Sequence, residues 1–172
     1  MKKHVGLKST RLTFLWSGML FLFLTYSPCL AICEPSFEES LEWCKALSIE
    51  ASDKAIEAQT TCDYPTANQA FNMAEEAAYL AAKIGTQTQE ASDPRLAMAA
   101  YHVCYQVEAA IDNVIRAARD IEHHGINPSD VQAAKFLLED CESTQRGNRI
   151  SMETALASIR GHIKKAKVYS KK

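Results

Sequence analysis

The sequence has few glycines and no stretch in which apolar and polar residues alternate. Only 6 of its 172 residues are glycine, and alternation is the pattern of a half-buried β-strand. Apolar residues recur instead three and four positions apart, which is the spacing of one face of an α-helix. The missing alternation argues against a sheet, and the spacing favours an all-α protein.

Motifs that carry catalysis or bind metals are also missing. The chain has no Gly-x-Ser-x-Gly, no glycine-rich phosphate loop and no Cys-x-x-Cys, which mark hydrolases, nucleotide-binding enzymes and thiol-redox or zinc-ribbon proteins. A di-iron bundle needs two Glu-x-x-His motifs, and the nearest approach is a single DIEH ending at His123. His123 and His124 close a predicted helix, where the dipole favours protonated histidine. We therefore predict no catalytic residue, no metal site and no cofactor.

The first 31 residues have the three parts of a secretory signal peptide. Four cations precede an uncharged run from Leu12 to Tyr26, and the small residue Ala31 follows. The run of 15 residues is shorter than the ~20 that a membrane-spanning helix needs. We predict a signal peptide over 1–31 and a mature extracytoplasmic chain over 32–172, either secreted or periplasmic, that forms one domain.

Two other interpretations of the N-terminal segment stay open. Residues 30–33 (LAIC) resemble a lipoprotein cleavage site, in which Cys33 would carry the lipid, although Ile32 is larger than the residue such sites prefer. The segment could also stay uncleaved as an anchor. Membrane association is predicted only if Cys33 is lipidated.

The cysteines of the predicted mature chain are odd in number. Cysteines of exported proteins tend to pair, and an odd one indicates a lipid site, a free thiol or an intermolecular bridge. Lipidation of Cys33 would leave four, which pair evenly. The five are Cys33, Cys44, Cys62, Cys104 and Cys141.

Helix geometry favours one particular disulfide among the possible cysteine pairs. If the third and fourth helices are antiparallel, Cys104 and Cys141 face inward at heights that differ by about 8 Å, at 1.5 Å per residue. A small stagger would bring them within the ~7 Å between Cα atoms that a disulfide allows. We predict a Cys104–Cys141 disulfide, and the partners of Cys33, Cys44 and Cys62 stay open.

Capping signals delimit the predicted helices. Ser36 and Glu39 have the spacing of a capping box, and Asp93 precedes Pro94 as a cap precedes a first-turn proline. Gly125 is expected to end the third helix in the left-handed conformation. The predicted helices cover 36–60, 66–90, 94–123 and 129–167.

The last helix is either one helix, kinked near Gly147, or two. The apolar phase stops at a polar stretch over 142–149 and resumes in the same seven-residue register. Four or five helices with short connections favour an antiparallel up-and-down bundle. Many inward positions are alanine, so its core is expected to be thin.

Charge divides the chain in two. Residues 32–145 hold 7 basic against 20 acidic side chains (−13), and residues 146–172 hold 8 against 1 (+7). Cations at a helix C-terminus complement its dipole, and they can also bind an acidic protein or an anionic surface. Nucleic acid is not expected, because the acidic body repels phosphate.

The sequence therefore predicts an exported, non-catalytic binding protein of the helical-bundle type. The alternative is an extracytoplasmic carrier of a metal ion or a small apolar ligand. The residues predicted to contact the anionic partner are Arg160, Lys164, Lys165, Lys167, Lys171 and Lys172.

Overall fold

The computed structural model describes residues 35–90 and 93–169, and nearly all of them are helical. The four helices are α1 (Phe37–Thr61), α2 (Tyr64–Glu90), α3 (Pro94–His124) and α4 (Pro128–Tyr169). No strand occurs in these residues, so the all-α prediction is confirmed there. The predicted signal peptide and Cys33 lie outside the described residues, as do Lys171 and Lys172.

Two of the predicted helix caps form as expected. The Ser36 hydroxyl accepts a hydrogen bond from the Glu39 amide at 3.1 Å, and the Glu39 carboxylate accepts one from the Ser36 amide at 2.8 Å. This capping box satisfies two backbone donors at the start of α1. At the start of α3, the Asp93 carboxylate accepts a hydrogen bond from the Arg95 amide at 2.9 Å.

The turn between α3 and α4 needs a glycine for a different reason from the one predicted. Gly125 does end α3, but its φ of −62° is not left-handed. A Cβ atom there would lie 2.4 Å from the Ile121 carbonyl oxygen and 3.0 Å from a Val131 methyl group. Glycine is therefore required for close approach. Asn127 then caps α4, accepting a hydrogen bond from the Ser129 amide at 3.1 Å.

The left-handed residue of the structure is at the other turn. Cys62 ends α1 with φ 51° and ψ 38°, a conformation that costs a non-glycine residue free energy. Asp63 follows, and its carboxylate accepts hydrogen bonds from the amide and hydroxyl of Thr66. These bonds lower the pKa of the Asp63 carboxyl. They also let α2 begin at Tyr64, two residues earlier than predicted.

Helices α2 and α3 lie at the centre of the fold. Each of them contacts the other three helices, whereas α1 and α4 do not contact each other within the described ranges. On α4, Gln145 donates a hydrogen bond to Asp112 of α3 at 2.8 Å, and Lys135 lies 4.0 Å from Glu122. These two pairs show that α3 and α4 run in opposite directions.

The core is built largely from alanine. Twelve side chains of α3 are buried, and they include every residue of the inward-facing stripe that the three-and-four spacing of apolar residues predicts for this helix. The largest fully buried side chains are Ile84, Ile111 and Ile121. Small residues let helix backbones approach closely, but each buries little apolar area. The confirmed stripe of α3 is Ala100, Cys104, Val107, Ile111, Val114, Ala118 and Ile121.

The open question about α4 is settled as one uninterrupted helix. The helix passes through Gly147, and a Cβ atom there would meet nothing within 4 Å. Its buried line contains Ala134, Cys141, Asn148 and Ala155, seven residues apart. Of the apolar residues that the sequence pattern places on one side of this helix, Ala134, Cys141 and Ala155 are buried. Others lie to one side of the buried line and are only partly buried: Val131, Leu138, Met152 and Ile159.

Candidate functional site

Basic side chains gather at the C-terminal end of α4. Arg160, Lys164, Lys165 and Lys167 are all exposed, and we call these four residues the basic end. Exposed Ile163, with 49% of its surface accessible, lies among them. The structure thus brings together the four described members of the predicted anion-binding set.

The basic end extends past the helices beside it. The Gln145 side chain is hydrogen-bonded to Asp112, so these two residues lie at the same level along the antiparallel helices. Ile163 is 18 residues further along α4, and Pro94 is 18 residues back along α3. Ile163 therefore lies level with the first residue of α3. Residues 164–169 of α4 therefore extend about 9 Å beyond α3, at 1.5 Å per residue. On the α2 side, Ser158 donates a hydrogen bond to the Thr88 carbonyl oxygen at 3.5 Å, two residues before α2 ends.

At the start of α3, the acidic residue nearest the basic end is Asp93, which interacts electrostatically with His162 of α4 and is already ion-paired with Arg95 at 3.1 Å. Among the described residues, Arg160, Lys164 and Lys165 form no ion pair. Beyond Gln145, Glu153 is the single acidic residue of α4. The positive charge of these three side chains is thus available to an outside partner.

A shallow groove separates α1 from α3 at mid-body. Its volume is about 200 Å³, and half of its lining residues have small side chains. Ile49, which lines the groove, is 58% exposed. Ile56 (51% exposed) and Tyr105 (63% exposed) lie on the same two helices. The lining residues are Ser48, Ile49, Ser52, Asp53, Gln106 and Ala109.

A second cleft lies where the two helix turns meet at one end. Its volume is about 280 Å³, and Cys62, His124 and Asp130 are among its lining residues. Ile126 is fully exposed at its edge. Within the described ranges, no three histidine, cysteine or acidic side chains are grouped so that they could hold a metal ion.

Three of the four described cysteines are buried thiols. Burial raises the pKa of Cys44 to about 12, of Cys104 to about 11 and of Cys141 to about 12. The Cys44 thiol donates a hydrogen bond to the Ala77 carbonyl oxygen at 3.1 Å. Cys62 is partly exposed. Since the thiolate is the nucleophile, the buried three are poor nucleophiles.

The structure does not bring Cys104 and Cys141 together. Both are free thiols, and no two described cysteines lie at disulfide distance. The Gln145–Asp112 hydrogen bond places Cys141 level with position 116 of α3, twelve residues and about 18 Å from Cys104. The sequence estimate of about 8 Å assumed that α4 starts level with the end of α3, whereas α4 starts beyond it.

A buried polar cluster between α3 and α4 was missed from the sequence. The Asn148 side-chain amide donates to the Cys104 carbonyl oxygen at 2.9 Å and to the Glu108 carboxylate at 3.0 Å. Glu108 also accepts a hydrogen bond from the exposed Arg149 at 2.8 Å. Asn148 lies in the polar stretch over 142–149, where its seven-residue spacing from Cys141 and Ala155 was the available signal.

Comparison of the chain with protein-family models, with curated proteins and with solved structures gives no match. In the part of the chain that the structure describes, no helix is long and apolar enough to cross a membrane. The function is therefore inferred from the residues and surfaces described above.

Proposed function

We propose that the protein is an exported, non-catalytic binding module that attaches to an anionic surface through the basic end of α4. Its four helices would form an antiparallel up-and-down bundle whose role is to hold this end away from the acidic body. The observation that carries the proposal is the extension of 164–169 about 9 Å past α3. The export half of the proposal depends on the sequence of residues 1–31.

Screening explains how an acidic protein can bind an anion. At physiological ionic strength, the Debye length is about 8 Å, which is close to the extension of α4 beyond α3. The acidic side chains of α1 and α2 then contribute little potential at the tip, while the lysines act at short range. Each Lys or Arg near an anionic lipid surface contributes about 1 kcal/mol.

The up-and-down arrangement is supported by which residues meet. α1 and α2 meet at Cys44 and Ala77, and α3 and α4 meet at Asp112 and Gln145. Both pairs match helices that reverse direction at a short turn. The turns after Thr61 and after His124 line one cleft, so they lie at the same end.

Co-sedimentation with vesicles tests the proposal. The mature protein should bind vesicles of mixed phosphatidylglycerol and phosphatidylcholine at low salt, and high salt should release it. Lys164→Glu/Lys165→Glu, the basic-end variant, should lose this binding. A matched control on the same helix, Lys135→Glu/Arg146→Glu, changes the net charge equally and should keep most of it. Equal binding by the basic-end variant would refute the proposal.

A further inference from the structure

The groove between α1 and α3 has the chemistry to receive a basic, partly apolar helix. Ile49, Asp53 and Ile56 recur at four and three residues and so share one face of α1. The two isoleucines are 58% and 51% exposed. Asp53 is exposed and lines the groove. Ile49 and Asp53 line the groove, and Ile56 lies on the same face of α1 one turn beyond them, so this face presents a carboxylate between two apolar side chains.

The basic end presents the complementary pattern. Arg160, Ile163, Lys164 and Lys167 share one face of α4, since they are spaced by three, one and three residues. Ile163 is half exposed between the cations. Positions 160 and 167 are seven residues apart, as are positions 49 and 56, and this separation corresponds to about 10.5 Å of helix. The two helix faces therefore have the same length and complementary charge. On α4 an apolar side chain lies between cations, and on α1 a carboxylate lies between apolar side chains.

We propose that the basic end of one copy of this chain binds the α1/α3 groove of a second copy. This inference depends on the proposed function, because it names one partner of the same basic end. The contact joins two different surfaces, so it is heterologous and can extend from copy to copy or close into a ring.

A chain cannot make this contact with itself. Gln106 and Ala109 of the groove lie twelve or more residues along α3 from Pro94, the level that the basic end reaches. Twelve residues of helix correspond to about 18 Å. Within the described ranges, α4 does not contact α1 at any point.

The proposed contact is small. Stable interfaces bury about 1,200–2,000 Å² in total, and a helix end of about ten residues buries less than that. We therefore expect reversible self-association that is seen at low salt and high protein concentration. High salt should abolish it, because the contact depends on exposed charges.

Sedimentation velocity on the mature protein, with two variants, tests this pairing. The basic-end variant keeps the groove and lacks the cations. The groove variant, Asp53→Lys/Ile56→Lys, keeps the cations and lacks a receptive groove. Each alone should be monomeric at low salt, where the unmodified protein shows a shift to larger species. Mixed in equal amounts, the two should form a 1:1 dimer that cannot extend.

A matched control and the vesicle assay make the result decisive. Asn72→Lys/Glu75→Lys on the exposed side of α2 changes the net charge as much as the groove variant does and should self-associate normally. The groove variant should still bind anionic vesicles. An unmodified protein that stays monomeric at low salt, variants that still self-associate alone, or a mixture that stays monomeric would each overturn the inference. Vesicle binding that survives in the basic-end variant would instead refute the proposed function.

Discussion

The side chain of Asn148 on α4 is hydrogen-bonded to the backbone carbonyl oxygen of Cys104 on α3, at 2.9 Å. Asn148 is almost fully buried, and its own side-chain oxygen has no hydrogen-bond partner. A buried polar contact of this kind costs desolvation, but it fixes the register of one helix against another. Two stripes of alanine can pack against each other at several offsets along the helix axes. The hydrogen bond between Asn148 and Cys104 favours one of these offsets.

Replacing Asn148 should therefore destabilise the protein. Asn148→Ala removes both hydrogen bonds and leaves a cavity, so the free energy of unfolding should fall by about 1–3 kcal/mol. Asn148→Leu should cost less, since it fills the space and removes the unpaired oxygen. Urea denaturation followed by circular dichroism measures both. Arg149→Ala, which removes the exposed partner of Glu108, should cost less than about 1 kcal/mol, and an Asn148→Ala protein as stable as the unmodified one would contradict the assigned role.

Two glycines should respond in opposite ways to alanine. Gly147 lies inside α4, and the position that a Cβ atom would take there is open space, so Gly147→Ala should raise the free energy of unfolding by about 0.5–1 kcal/mol. Gly125→Ala should lower it by about 1–3 kcal/mol, because the new methyl group would overlap the Ile121 carbonyl oxygen. Thermal unfolding of the two variants compares them directly. Stabilisation by both would show that the turn after α3 is looser than described.

The thiols should differ strongly in their rate of alkylation. Of the four described cysteines, Cys62 should be modified first by iodoacetamide in native protein at pH 8, because Cys44, Cys104 and Cys141 are buried and have raised pKa values. In denaturant, all four should react at similar rates. Peptide mapping identifies the modified residues, and modification of Cys104 or Cys141 as fast as Cys62 would contradict their burial.

Raising the pH above about 9 should lower the free energy of unfolding, because three buried thiols have raised pKa values. A raised thiol pKa means that the folded state holds its proton more tightly than the unfolded chain, so the stabilisation is complete below about pH 9 and is lost as pH rises from 9 towards 12. Each buried thiol should remove about 1.4 kcal/mol for each pH unit above 9. Denaturation at pH 8 and pH 10 under reducing conditions measures the slope. Cys141→Ala should make it shallower, and an unchanged stability at pH 10 would exclude this linkage.

The mature N-terminus is predicted at Ile32, within a residue or two. The reason is the order of basic, apolar and small residues over 1–31. N-terminal sequencing of the native protein decides it. A lipid on Cys33 would favour the lipoprotein alternative, and an intact Met1 would contradict both.

Local patterns on single helices were predictable, and relations between helices were not. The inner stripe of α3 and the caps at Ser36 and Asp93 follow from residues within one or two turns of each other. The stagger of α4 against α3 depends on the turn at Gly125, and an error of a few residues there misplaced Cys141 by about 10 Å, roughly a fifth of the length of α3. The left-handed conformation of Cys62 gave no sequence signal, because cysteine is not a residue that favours positive φ.

The candidate site shows the same division. The cations of the basic end could be read from the sequence, because charge is a property of composition. Their extension past α3 could not, since it depends on where α3 begins relative to α4. The α1/α3 groove was also missed, because it depends on how α1 packs on α3, which the pattern of either helix alone does not give.

The lack of contact between α1 and α4 in the described residues bears on how fast the protein folds. The helix contacts join elements that are next to each other in the chain or one apart, so folding need not close the longest loop first. Loop closure and sequence separation are what slow folding in proteins rich in long-range contacts. Alanine, the residue with the highest helix propensity, fills the buried faces, and it favours helices that form early. We therefore expect the chain to fold on the fast timescale of helical proteins.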